Sequence, residues 1–126
     1  MTLTPGAYLK CRRTAHGLSI EKVAEKLSTV PRVAEHARAD QLRLIEADAQ
    51  PASFTTIVAL RHVFRFDLAV LARLAEIQLG APLPAPRLCR ICGCSDNDAC
   101  PGVCGWTTPD LCSSCVGAPI AGVRAA

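Results

Sequence analysis

A mainly α protein, five short helices followed by a small cysteine-rich module stapled by zinc, is the fold class this sequence predicts. Three observations predict it. Residues 4 to 80 repeat apolar side chains at helical spacing between capping residues and glycines. Residues 81 to 86, APLPAP, carry three prolines at alternate positions. Seven of the eight cysteines then fall in CRICGCSDNDACPGVCGWTTPDLCSSC, from Cys89 to Cys115.

The helical region opens on Thr4-Pro5, a hydroxyl that can cap and a proline at the first helical position. That helix should pass through Ala7, Leu9, Arg12 and Arg13 and stop at Gly17. Ser19 caps the second helix, Glu21 sits in its positive first turn, and Ile20, Val23, Ala24 and Leu27 share one face. A third helix is expected to start at Pro31, capped by Ser28 or Thr29, with Val33, Ala37, Leu44 and Ala47 along one side. Ser53 caps the fourth, where Ile57, Leu60 and Phe64 line up, with Val58 and Val63 nearby. Asp67 caps the fifth, about Leu68 to Leu79, with Leu68, Leu71, Leu74, Ala75 and Ile77 inward and Gly80 ending it.

These elements divide the chain into a helical domain at 1–80, a stiff proline spacer at 81–86, a metal module at 87–116 and a flexible Ala/Gly-rich tail at 117–126. With 126 residues there is material for one modest core and a stapled appendage. Only five residues are aromatic (Tyr8, Phe54, Phe64, Phe66, Trp106), so that core is aliphatic. No apolar run approaches the roughly 20 residues of a membrane span, and no basic and apolar leader follows Met1. The expected compartment is therefore the reducing cytoplasm, where clustered cysteines hold metal rather than disulfides.

The cysteines open and close with C-x2-C pairs, Cys89/Cys92 and Cys112/Cys115, separated by 19 residues. Two such hooks supply the four soft ligands of a tetrahedral zinc ion. Gly93 lets the first hook turn tightly and aim N–H groups at sulfur. Asp110 reads as the cap of a helical turn carrying Cys112 and Cys115. The layout resembles a zinc ribbon or a treble clef. Cys94, Cys100 and Cys104 remain. They fit a second zinc ion, with one sulfur bridging or with Asp96 or Asp98 as the eighth ligand; otherwise they are small buried hydrophobes. An iron–sulfur cluster is the redox alternative, but the spacing matches neither common ferredoxin pattern.

In the helical region, LKCRRTAHGLSIEKVAEKL resembles the first two helices of the lambda-repressor-like (XRE-type) helix-turn-helix domains, and LRLIEADAQPASFTTIVALRHVFRFDLAVL resembles their third and later helices. Ile45-Glu46, Pro51 and Ser53 match that family's pattern. Asp48 stands where the family has glycine, and the segment from Leu27 to Glu46 is longer by roughly eight residues than is usual there. The resemblance implies a helix-turn-helix bundle, a transcriptional regulator and double-stranded DNA as partner.

Arg12 and Arg13 of the first helix, and Arg32, Arg38 and Arg43 of the third, are the candidate contacts to phosphates or bases. Glu35, Asp40, Glu46 and Asp48 lie in the same third segment, so a solvated mixed-charge face competes with a DNA-reading one. Residues 1 to 80 hold eleven Lys and Arg against eight acids, so the whole +3 surplus lies there and is modest. His16, His36 and His62 are scattered and suit packing or surface roles. Cys11 suits a core gap, and Trp106 suits a miniature core over the metal. No Gly-rich phosphate loop, nucleophile elbow or H-x-E deaminase signature occurs, so an enzyme is not expected. The alternative to a DNA-binding regulator is a zinc-containing protein–protein adaptor that has lost groove reading, its zinc module serving partner binding or self-association.

Overall fold

The computed structural model describes residues 3–29, 31–96, 98, 100 and 104–115. The tail expected from 117 to 126 lies outside these. The described chain forms α1 (Pro5–Ala15), α2 (Ile20–Lys26), α3 (Glu35–Glu46), α4 (Phe54–Arg61), α5 (Leu68–Gln78), β1 (Trp106–Thr108) and β2 (Leu111–Cys112), then a 3-10 turn at Ser113–Cys115. It is mainly helical with a two-stranded antiparallel sheet in the cysteine-rich region.

Four helices begin where a side-chain oxygen captures an orphan N–H. Thr4 accepts from Ala7 N, Ser19 from Lys22 N, Ser53 from Thr56 N, and Asp67 from both Ala69 N and Val70 N. Gly17 closes α1 with φ +70°, and Leu18 N returns to Arg13 O at 3.2 Å.

α3 departs from expectation. It starts at Glu35, not Pro31, and its cap residue Ala34 offers no side-chain bond. The Thr29 hydroxyl accepts from Val33 N in the preceding loop instead. Its inward stripe is Arg38, Ala39, Leu42 and Ile45, while Val33, Ala37, Leu44 and Ala47 are exposed. Both sets have helical spacing. The stripe containing an arginine is the one buried, because that arginine finds carbonyls to bond. In α5, similarly, Val70 rather than Leu68 turns inward.

α2 packs mainly on α3, and α1 lies against both α3 and α5. The core gathers Tyr8, Leu9, Val23, Leu27, Leu42, Ile45, Leu60, Phe64, Phe66, Leu71 and Leu74. α1 and α3 meet without side-chain spacing at Gly6, where a Cβ would stand 2.4 Å from Ile45 O. Asp48 closes α3 with φ +58°, a left-handed conformation that Asp tolerates better than most residues. Its carboxylate accepts from Gly6 N at 2.9 Å and from the Thr4 hydroxyl, so the same residue finishes one helix and caps another.

Leu88, beyond the proline spacer, belongs to the helical core. Arg73 Nη1 donates to Pro84 O at 3.1 Å and holds the spacer against α5. The cysteine region is therefore docked on the helices rather than held away from them.

Candidate metal centre

The centre is built on a tight turn. Gly93, at φ +74°, lets Gly93 N reach Cys89 O at 2.8 Å and Cys89 N reach Cys94 O at 3.1 Å. Ile91 N then points at the Cys89 sulfur from 3.4 Å, the kind of donor that steadies a thiolate ligand. The second half comes from the β1–β2 hairpin, where Trp106 faces Cys112 and Thr108 faces Leu111. Asp110 sits in this hairpin turn rather than at a helix start, and Cys112 ends a strand rather than beginning a helical turn. Asp110 accepts from Arg90 Nη1 at 2.6 Å, and Arg90 N donates to Asp110 O at 2.9 Å. Those two bonds bring the hairpin against the first cysteine pair.

Two sets of four sulfurs converge. Cys89, Cys92, Cys94 and Cys112 lie within 4.8 Å of one another, and so do Cys94, Cys100, Cys104 and Cys112. Cys94 holds the place in the first set that sequence spacing gives to Cys115. Cys115 is buried beside this group, and its thiol hydrogen-bonds the Cys112 sulfur. The Cys92 sulfur is 3.7 Å from Cys112 and 3.5 Å from Cys100. A tetrahedron of sulfurs about 2.3 Å from a zinc ion has edges of about 3.8 Å, so the 3.7 Å between Cys92 and Cys112, both of the first set, suits a metal ion.

The thiols share their protons unevenly. Cys92 is pushed far up because it donates to the Cys89 sulfur and is buried; Cys89 is correspondingly held down at about 3. Burial pushes Cys94 up to about 11 and Cys112 further still. Cys104 is lowered to about 6, chiefly by the Ser114 hydroxyl. Packed this closely, one thiolate opposes the next, and a cation removes that penalty for all of them.

The two acids considered as extra ligands are otherwise engaged. Asp96 accepts from the Trp106 indole at 2.7 Å. Asp98 is 3 % exposed, and its oxygens face Arg65 Nε at 2.7 Å and Arg12 Nη2 at 3.4 Å. Neither contact is aligned as a hydrogen bond, so the attraction there is that of paired charges. Trp106 packs on the cysteine cluster, as its sequence context suggests, with the Arg87 guanidinium 5.2 Å from its ring.

The candidate DNA-contacting arginines divide. Arg12 is buried and donates to Cys92 O at 2.9 Å and Arg65 O at 3.3 Å. Arg13 is buried in a two-pronged pair with Glu46, at 2.6 and 2.8 Å, and also reaches Leu18 O. Arg38 is buried against Ala24 O at 2.7 Å and Val33 O. These three guanidiniums hold the fold together and are not presented to phosphates. Only Arg32 and Arg43 of the five are exposed, and Arg43 pairs with Glu21 and Asp40. Sequence reasoning missed this because a basic side chain reads as a surface residue unless its carbonyl partners are known.

Comparison with known proteins gave no matching family model, no matching curated protein and no matching solved structure. Among the described residues, no helix is long and apolar enough to cross a membrane.

Proposed function

We propose that this chain is a small DNA-binding transcriptional regulator of the lambda-repressor-like kind, acting in the cytoplasm, in which zinc on the cysteine cluster is a structural staple. One observation carries the DNA half of that reading. α3 is clamped from within, by Arg13–Glu46 to α1 and by Arg38 to the end of α2, while its opposite face stays open. A helix so held can be presented rigidly to a groove. Arg32 and Arg43, with Lys22 and Lys26 of α2, are the exposed cations that would meet phosphates. Zinc is favoured by a donor set made only of sulfur at near-tetrahedral spacing.

Fluorescence anisotropy against a random duplex at low salt tests this directly. Binding that weakens as salt rises is expected, because neutralised phosphates release counterions. Its absence at low salt ends the DNA reading. Zinc counted per purified chain tests the other half.

A protein–protein adaptor is the second reading, and one observation favours it. The outer side of α3 carries Glu35 and Asp40, and Arg43 is already paired there. Mixed charge of this kind attracts DNA weakly. A regulatory effect that survives Arg32→Ala and Arg43→Ala, with no DNA affinity left, would establish it.

A further inference from the structure

We infer that the cysteine region holds two metal ions in one cluster, with the sulfurs of Cys94 and Cys112 each bridging both ions. The inference rests on the metal-binding reading above and extends it to ion number and connectivity. The two converging sets contain six different cysteines, and Cys94 and Cys112 occur in both. Two four-coordinate ions need eight metal–sulfur bonds. Six sulfurs make eight bonds when two of them bridge.

Three further observations join the sets into one cluster. The Cys92 sulfur, from the first set, lies 3.5 Å from that of Cys100, from the second, so the two sets adjoin. Two tetrahedra sharing the Cys94–Cys112 edge would nevertheless set these outer sulfurs roughly 5 Å apart. Both shared cysteines are buried, at 1 % exposure each, as a bridging position at the middle of a cluster requires, and so are Cys89 and Cys92 of the first set. Cys100 and Cys104, at the outer end, are only half-buried. Asp96 and Asp98, the neighbouring oxygen donors, are taken by Trp106 and by two arginines, which leaves the ions to sulfur.

Bridging also eases the electrostatics. Two dications on six thiolates carry a net charge of about −2, the same as one zinc on four thiolates, so the second ion adds no net negative charge to a nearly closed site. Arg12 is fixed beside that charge through Cys92 O.

The test uses the full chain loaded first with Zn2+ and then with 113Cd2+. Native mass spectrometry is expected to show two zinc ions per chain. Two cadmium resonances are expected, and the Hβ protons of Cys94 and Cys112 should couple to both. Those of Cys89, Cys92, Cys100 and Cys104 should each couple to one. Cys104→Ser should lower the zinc content from two ions to one while the helical signal remains. A single ion in the wild type overturns the inference while leaving the metal reading intact. So do two ions with no shared cysteine, or with Cys112 alone shared and Cys115 completing a site. A chain that binds neither metal, or that carries iron and sulfide, overturns the inference and the zinc reading together.

Discussion

Arg12 Nη1 donates to the main-chain carbonyl of Cys92 at 2.9 Å, so the first helix and the first cysteine turn share one buried cation. The same guanidinium faces Asp98 and bonds Arg65 O. Gly93 lies directly on this helix, with a Cβ position only 3.1 Å from Arg12 Cδ and 3.2 Å from Cys11 Cβ. The helical and cysteine-rich parts are thereby interlocked.

Arg12→Ala should destabilise the whole protein by about 3 kcal/mol, because it strands a buried carboxylate and a carbonyl. The exposed Arg65 remains near Asp98 and limits the loss. Urea unfolding measures it. Adding Asp98→Asn to Arg12→Ala should recover part of the deficit, and a purely additive pair would show that the two charges are not coupled.

Under the proposed metal binding, chelation gives the clearest test of interlocking. Two separate units would leave the helices unaffected by a strong chelator. With Leu88 in the helical core and Arg12 bonded to Cys92, the thermal midpoint of the helical signal is expected to fall by several degrees on chelation. An unchanged midpoint by circular dichroism would restore the picture of independent units.

Three glycine-to-alanine changes should rank by what the new methyl meets. Gly6→Ala places it against Ile45 O and Glu46 O, which cannot withdraw without parting α1 from α3. A cost above about 2 kcal/mol is expected there. Gly93→Ala combines positive φ with contacts to Arg12 and Cys11 and should also lower metal affinity. Gly17→Ala meets nothing within 4 Å and should cost only about 1 kcal/mol, the left-handed penalty alone. Unfolding midpoints of the three variants check the order.

Tyr8 sets an alkaline limit. Burial pushes its phenol from 10 up to about 12, while its oxygen accepts from Asp67 N. The folded state therefore keeps a proton that the unfolded chain gives up. The stability tied to that proton is intact below pH 10 and is lost as pH rises towards 12, amounting to about 2–3 kcal/mol. Tyr8→Phe should flatten that loss, at a cost near neutral pH of about 1 kcal/mol from the missing bond. Stability measured against pH for both proteins decides it.

The arginines of α3 should separate by assay. Arg32→Ala and Arg43→Ala should leave the fold within about 0.5 kcal/mol of wild type, since both side chains are exposed. Under the DNA reading they weaken binding and reduce its salt slope by about one each. Arg38→Ala should instead unfold early, because its guanidinium ties Ala24 O and Val33 O. An alanine triple at all three positions would confuse folding with binding.

The sequence by itself determined what neighbouring residues settle among themselves. Thr4, Ser19, Ser53 and Asp67 cap helices because an oxygen two or three residues before an orphan N–H needs no other part of the chain. Gly17 and Gly93 mark positive φ for the same local reason, and the density of cysteine between 89 and 115 marks where sulfurs that could hold a metal gather. The tertiary structure decided which of two equally spaced stripes of α3 turned inward. It also decided which arginines were buried and which sulfurs converged. Those outcomes depend on partners distant in sequence: Arg12 meets Cys92 across 80 positions, and Arg13 meets Glu46 across 33. A guanidinium stays in water unless carbonyls and carboxylates are brought to it, and only the folded chain brings them.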